Sequence, residues 1–196
     1  MNDLLHTKPG ETALSAEEIE GLRFKHITTH GELNQLEQAN IDKGLQWLKK
    51  QRTPAILEES FLRKLHLQLF GAVWNWAGEF RTTEKNIGID PHTIPVELRQ
   101  LMDNTRNQIE HNTYPPRELA TRHHHRLLQI HPFPNGNGRW SRITTNALLE
   151  SINEVPIDWS GGKTIDEMPA HRRQYIDALR QADAHDFSAL MTFVDT

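Results

Sequence analysis

The chain has 196 residues, 36% of them hydrophobic and 24% charged, with a formal net charge of −4 and no cysteine. That length and composition suit one domain, or one domain with a small appendage, that buries its own core; disulfides, thiol catalysis and cysteine-type zinc sites are excluded. The mildly acidic balance lacks the broad basic footprint of a nucleic-acid binder, and no stretch approaches the roughly 20 apolar residues of a membrane-spanning helix.

Residues 1–22 carry Asp3, Glu11, Glu17, Glu18 and Glu20 and no long apolar run. Neither a secretory signal nor a membrane anchor is expected there, and the cytoplasm is the default location. Ser15 with Glu18 has the spacing of a capping box and predicts a short first helix. Thr29 with Glu32 predicts a second, longer helix to about Arg52, with Leu33, Leu36, Asn40, Gly44 and Trp47 on one stripe and Pro54 as its stop. Leu62, Leu65, Leu69, Ala72 and Val73 mark the next helix, which runs into Trp74 and Trp76 as core or loop support. From Gly78 to Ile94 the pattern alternates loosely and predicts a short β-hairpin turning near Lys85-Asn86, with Asp90-Pro91 ending it.

A helix through Val96, Leu98, Leu101, Met102, Thr105 and Ile109 follows. Tyr114-Pro115-Pro116 breaks the chain, and Pro116 suits a first helical position. The helix it opens carries Leu119, His123, Leu127 and Ile130. Another starts near Arg139, with Ile143, Ala147 and Leu148. Thr164 with Glu167 predicts a further start, for a helix bearing Tyr175, Ile176, Leu179 and Ala182. A last short helix fits Asp186 to Val194. The expected architecture is all-α apart from the hairpin.

Between two of these helices lies His131-Pro-Phe-Pro-Asn-Gly-Asn-Gly-Arg-Trp-Ser-Arg142. Gly136 and Gly138 let the backbone take φ > 0 and approach a ligand. Successive N–H groups opening onto a helix N-terminus form an anion cradle. Arg139 and Arg142, three apart, add two permanent cations with bidentate geometry for phosphate oxygens. The combination is suited to a polyphosphate. His131 at its edge can accept a proton from a hydroxyl. Phe133 is expected to anchor the loop in the core, and Asn137 to hold loop backbone or a phosphate oxygen.

The segment resembles the signature of Fic-domain proteins, His-x-Phe-x-(Asp/Glu)-Gly-Asn-Gly-Arg-x-x-Arg, which His131, Phe133, Gly136, Asn137, Gly138, Arg139 and Arg142 all match. Gly78-Glu-Phe-Arg-Thr-Thr resembles the start of that family's hairpin flap, and Ile94-Pro-Val-Glu-Leu the beginning of its next helix. The likeness is strongest over residues 60–150, and in overall pattern it is similar to the branch known as mobile mystery protein B. The resemblance implies a mostly helical Fic fold in 56–196, with 1–55 as an N-terminal helical segment.

It also implies protein adenylylation. His131 would be the base that deprotonates a Ser, Thr or Tyr hydroxyl of a target protein. Gly136, Asn137 and Gly138 would hold the inner phosphates of ATP, Arg142 the terminal one, and Arg139 would support the phosphates or the loop. Thr82, Thr83, Asn86 and Ile87 would form the flap that docks the target by strand addition. Asn135 departs from the pattern: it stands where the acidic magnesium ligand is expected. An amide oxygen brings no charge, so weak Mg2+ binding through the protein is expected, with the triphosphate holding most of the ion.

Relatives of this kind carry an inhibitory Glu that pairs with the second Arg of the signature. Glu37, within Leu33-Asn-Gln-Leu-Glu-Gln-Ala-Asn40, is the candidate here, although Leu33 and Gln38 depart from the usual motif. His123-His124-His125 cannot converge on one ion, because neighbours on a helix point about 100° apart. Two other functions fit the same residues: removal of AMP or transfer of another phosphate-linked group, and a catalytically weak nucleotide-binding module. An antitoxin or a second copy of the chain is a possible partner for this family.

Overall fold

Ser15 starts the first helix as its spacing predicts. Its hydroxyl accepts the Glu18 N–H at 3.2 Å, while the Glu18 carboxylate accepts the Ser15 N–H at 2.8 Å. The computed structural model describes residues 14–159 and 169–195. Within them lie α1 (Ala16–Glu20), α2 (His30–Lys49), α3 (Glu59–Phe70), α4 (Ile94–Glu110), α5 (Pro116–Ile130), α6 (Asn137–Ser151), α7 (Pro169–Asp183) and α8 (Ser188–Val194). Thr29 caps α2 by accepting the Glu32 N–H, and Pro116 opens α5. The expected helix start at Thr164 and Glu167 lies outside the described residues.

The main core gathers Leu62, Leu65, Leu69 and Phe70 of α3, Ile94, Leu98 and Met102 of α4, and Leu127 and Ile130 of α5 around Trp74, Phe133 and Trp140. Each fully buried leucine contributes about 1.5–3 kcal/mol by leaving water. The helix α2 lies against α3 closely enough that a Cβ on Gly44 would meet the Gln68 carbonyl oxygen at 2.9 Å. Asn40 locks that pair: its amide donates to the Gln68 carbonyl at 3.0 Å and accepts the Ala72 N–H at 2.8 Å. A second cluster, including Trp159, Tyr175, Ala178, Leu190 and Phe193, packs α7 and α8 against Ala120 of α5 and Leu149 of α6.

The three histidines of α5 are all buried and turn to three different partners. His123 faces Thr105 at 2.9 Å, His124 faces Tyr175 at 2.7 Å, and His125 faces Asp183 at 2.9 Å. They hold α5 to α4 and α7, as helical geometry requires of consecutive side chains.

The expected β-hairpin is not present. Residues 79–90 form a loop, and the described residues contain no strand, only an isolated bridge between Leu22 and Trp74. The cause is Arg81. Its guanidinium occupies the carbonyls of Thr83 and Ile89, which a ladder would need. Alternation along the sequence specifies a strand only where cross-strand partners are free to pair.

Candidate functional site

His131 ends α5 in the left-handed conformation, φ 51° and ψ 61°, and its N–H closes the helix on the Leu127 carbonyl at 3.0 Å. A non-glycine residue rarely accepts that backbone, and such strain concentrates at functional positions. The turn lets the chain reverse through Pro132-Phe133-Pro134 and start α6 within a few residues. Phe133 plugs the turn into the core. It is fully buried, stacks on His66 at 3.7 Å between ring centroids, and meets the Trp140 ring edge-on at 4.9 Å.

The Asn137 side chain fixes the other side of the turn. Its carbonyl accepts the Phe133 N–H at 3.0 Å, and its amide donates to the Phe133 carbonyl at 2.7 Å. Both ends of the side chain hold the loop, so any contact of Asn137 with a phosphate falls to its backbone N–H. Gly136 supplies the N-cap of α6 with φ 79°. The N–H groups of Asn137, Gly138 and Arg139 then lack intrahelical acceptors and open the helix end to an anion.

Arg142 lies beside this opening. A Cβ on Gly138 would come within 3.8 Å of its Nη1, and the guanidinium sits 5.9 Å from the centroid of the Tyr175 ring. Among the described residues no carboxylate contacts Arg142, whereas Arg139 donates to the Glu37 carboxylate at 2.7 Å. Glu37 is 2% exposed and also accepts the indole N–H of Trp74 at 2.6 Å. The acid therefore faces inward, as its stripe on α2 suggests, but it takes the first Arg of the loop and not the second.

Asn135 accepts the Gly136 N–H on its own Oδ1, while its backbone carbonyl accepts from His66 Nε2 at 3.1 Å. The Gly78 N–H donates to His66 Nδ1 at 3.0 Å, which leaves the proton on Nε2 and sets the tautomer. His66 thus ties the turn before α6 to the start of the 79–90 loop. The side-chain oxygen of Asn135 is engaged and uncharged, and the described residues contain no cluster of three His, Asp or Glu that could hold a metal ion. That donor set does not fit a magnesium ion held by the protein.

The 79–90 loop covers His131. A Cβ on Gly88 would meet His131 Cβ at 2.9 Å, and His131 is only 3% exposed. Burial, and then the charges of Arg81 and Lys85, push its imidazole down to about 3, with the Leu128 carbonyl acting the other way. In this covered state His131 is neutral throughout the physiological range, with one ring nitrogen unprotonated. On the same loop Thr82, Asn86 and Ile87 are exposed. Thr83 turns inward and donates to Glu18 Oε1 at 3.1 Å, and Lys85 pairs with the same carboxylate. Of the expected docking residues, three lie on the open rim and Thr83 is tied to α1.

Arg81, His66 and Trp74 join the site only through the fold. Arg81 had a local signal, since it stands in the Gly78-Glu-Phe-Arg-Thr-Thr run. The roles of His66 and Trp74 depend on partners far along the chain and had none.

A protein adenylyltransferase Fic of Aedes aegypti is 30% identical over 120 residues, 60% of this chain and 22% of that protein. One of Nematostella vectensis is 25% identical over 177 residues, 87% of this chain and 38% of that protein. The chain thus spans well under half the length of these relatives. The crystal structure of the BepC effector of Bartonella tribocorum with bound AMPPNP superposes with a TM-score of 0.71 over 92% of this chain and 96% of that one, at 17% identity, a likeness in fold. No helix among the described residues is long and apolar enough to cross a membrane. Residues 56–149 match the Fic/DOC family, and that stretch contains both the covering loop and the turn from His131 to Gly138.

Proposed function

We propose that the protein transfers AMP from ATP to a Ser, Thr or Tyr hydroxyl of a target protein. The observation that carries this reading is the placement of a neutral, strained His131 beside the open N-terminus of α6, with Arg142 free of any carboxylate among the described residues. The curated relatives named as adenylyltransferases support it.

In this reading the N–H groups of α6 bind the inner phosphates and Arg142 binds the terminal one. A target segment docks along Thr82, Asn86 and Ile87 and brings its hydroxyl to His131. The imidazole takes the hydroxyl proton while the oxygen attacks the α-phosphorus. The bond from that phosphorus to the bridging oxygen breaks, and pyrophosphate leaves. Any magnesium arrives on the triphosphate. Glu37 acts as a brake by neutralising Arg139 and withdrawing it from the nucleotide.

Incubation of the native chain and a His131→Ala variant with α-labelled ATP and magnesium tests the reading. Label on protein in the native chain alone is the expected result. Nucleotide binding without label in either would overturn it in favour of the binding module, which the engaged Asn135 side chain and the Glu37–Arg139 pair favour as the second reading. Loss of label from a modified protein would point to removal of AMP.

A further inference from the structure

The Arg81 side chain is 2% exposed and is among the largest fully buried side chains described. Its Nε donates to the His131 carbonyl at 2.6 Å, and Nη2 reaches the Ile130 carbonyl at 3.4 Å. On the other side Nη1 donates to the Thr83 carbonyl at 3.0 Å and Nη2 to the Ile89 carbonyl. The Arg81 N–H itself donates to the Pro132 carbonyl at 2.9 Å. The acceptors fall on two segments: the end of α5 with the turn after it, and the loop that covers His131.

Among the described residues no carboxylate contacts this guanidinium; Glu84, Asp90 and Glu18 act on it only through their fields. A buried charge without a direct counter-ion is a poor way to gain stability. It is, however, a good way to hold carbonyls that helix geometry leaves without donors at the end of α5. The planar fork of Arg bridges two segments at fixed angles, which the single ammonium of Lys cannot do. A Cβ on Gly88 would lie 2.6 Å from Arg81 Nη2 and 2.9 Å from His131 Cβ, so loop, guanidinium and histidine meet at one point.

We infer that Arg81 is the positioning residue of this site: one guanidinium fixes the left-handed backbone of His131 and the loop above it as a single unit, so that a target docked along the loop meets a base already set in place. The inference rests on the adenylyl-transfer reading. Arg81 does not touch the reacting atoms and acts through His131.

Arg81→Lys keeps the charge and loses the fork; Arg81→Gln removes the charge and keeps one donor group. For each, three quantities are measured: AMPPNP affinity by calorimetry, kcat and KM for ATP in self-labelling, and the titration of the His131 ring by NMR. Around His131 the groups that bear on that titration are Arg81 and Lys85 from the loop and the Leu128 carbonyl from α5. The expected result for Arg81→Lys is AMPPNP affinity within about threefold of native and kcat lower by about tenfold or more, because small misplacements of a reacting group carry such costs. KM for ATP would change little, and His131 would titrate higher than in the native chain as water reaches the ring. A fall in kcat no larger than the loss of folded protein, or a His131 ring that titrates as in the native chain, would overturn the inference. If the native chain takes no label, the transfer reading fails, while the His131 titration still decides the role of Arg81.

Discussion

The Glu37 carboxylate contacts the Arg139 guanidinium at 2.7 Å across 102 residues of chain, and Trp74 donates to the same carboxylate from the other side. The pair neutralises one cation beside the turn that starts α6, and among the described residues no carboxylate contacts Arg142. A brake built this way differs from one that covers the terminal-phosphate site. On the proposed reading it would weaken the cradle by withdrawing Arg139 and leave the helix N-terminus open.

Glu37→Gly should therefore raise self-labelling with α-labelled ATP and tighten AMPPNP binding, each by several-fold. It should also lower stability by about 1–3 kcal/mol, because the Trp74 indole N–H loses its buried acceptor. Glu37→Gln retains that acceptor and removes the charge, so it should show the same rise in labelling with a smaller fall in Tm. Unchanged labelling in both variants would reduce Glu37 to a structural residue between α2 and the loop.

The amide at Asn135 gives a second test. Asn135→Asp keeps an oxygen for the Gly136 N–H and adds a charge beside the phosphate loop. Carboxylates are preferred ligands of magnesium. The magnesium concentration for half-maximal nucleotide binding and turnover should fall several-fold. A magnesium dependence identical to that of the native chain would mean that this side chain does not face the nucleotide at all.

Gly136 and Gly138 should separate in a way the sequence alone does not show. At Gly136 φ is 79°, and an added Cβ would meet Phe70 Cζ at 2.7 Å and Cε2 at 2.8 Å. Phe70 cannot yield easily, since His66 packs on its ring at 4.8 Å and the Arg139 guanidinium lies 5.1 Å from its centroid. Gly136→Ala should cost about 1–3 kcal/mol and abolish measurable AMPPNP binding. A Cβ on Gly138 meets only Arg142 Nη1 at 3.8 Å, so Gly138→Ala should leave Tm unchanged or raise it. Equal Tm losses in the two variants would contradict this account of the turn.

Elements whose cause is local were legible in the sequence. Ser15 and Thr29 start the helices their spacing announces, Pro116 opens α5, and the run from His131 to Arg142 is the turn its glycines and arginines describe. Helix ends were read less well, because apolar spacing continues past the last helical hydrogen bond: α3 stops at Phe70, before Ala72 and Val73. The hairpin expected over 79–90 is absent: alternation there is silent about the Arg81 guanidinium, which holds the Thr83 and Ile89 carbonyls. Of the two roles expected of the Asn137 side chain, the structure shows the one on loop backbone: both of its ends bond to Phe133. His66 joins Gly78 to Asn135 across 69 residues, and no periodicity reaches that far.

The buried histidines predict how the fold responds to acid. Burial pushes His66 down to about 3 and His123 down to about 4, from an ordinary value of 6.5. His131 is pushed down to about 3, and His124 lies well below its usual range. For a group whose folded value is depressed, the unfolded chain binds the proton first. Stability is therefore fully present above pH 6.5 and is lost as pH falls towards 3 to 4. Each unit of depression is worth about 1.4 kcal/mol, so a few such groups together are comparable with the usual margin of a domain, about 5–15 kcal/mol. The chain should unfold cooperatively between pH 6.5 and 4, followed by circular dichroism, with proton uptake in the same transition. His66→Gln offers an amide that can still accept from Gly78 and donate to Asn135 but does not titrate, so its loss of stability with acid should be shallower than that of the native chain. Native-like stability down to pH 4, or an identical acid slope in His66→Gln, would show that water reaches these rings in the folded protein.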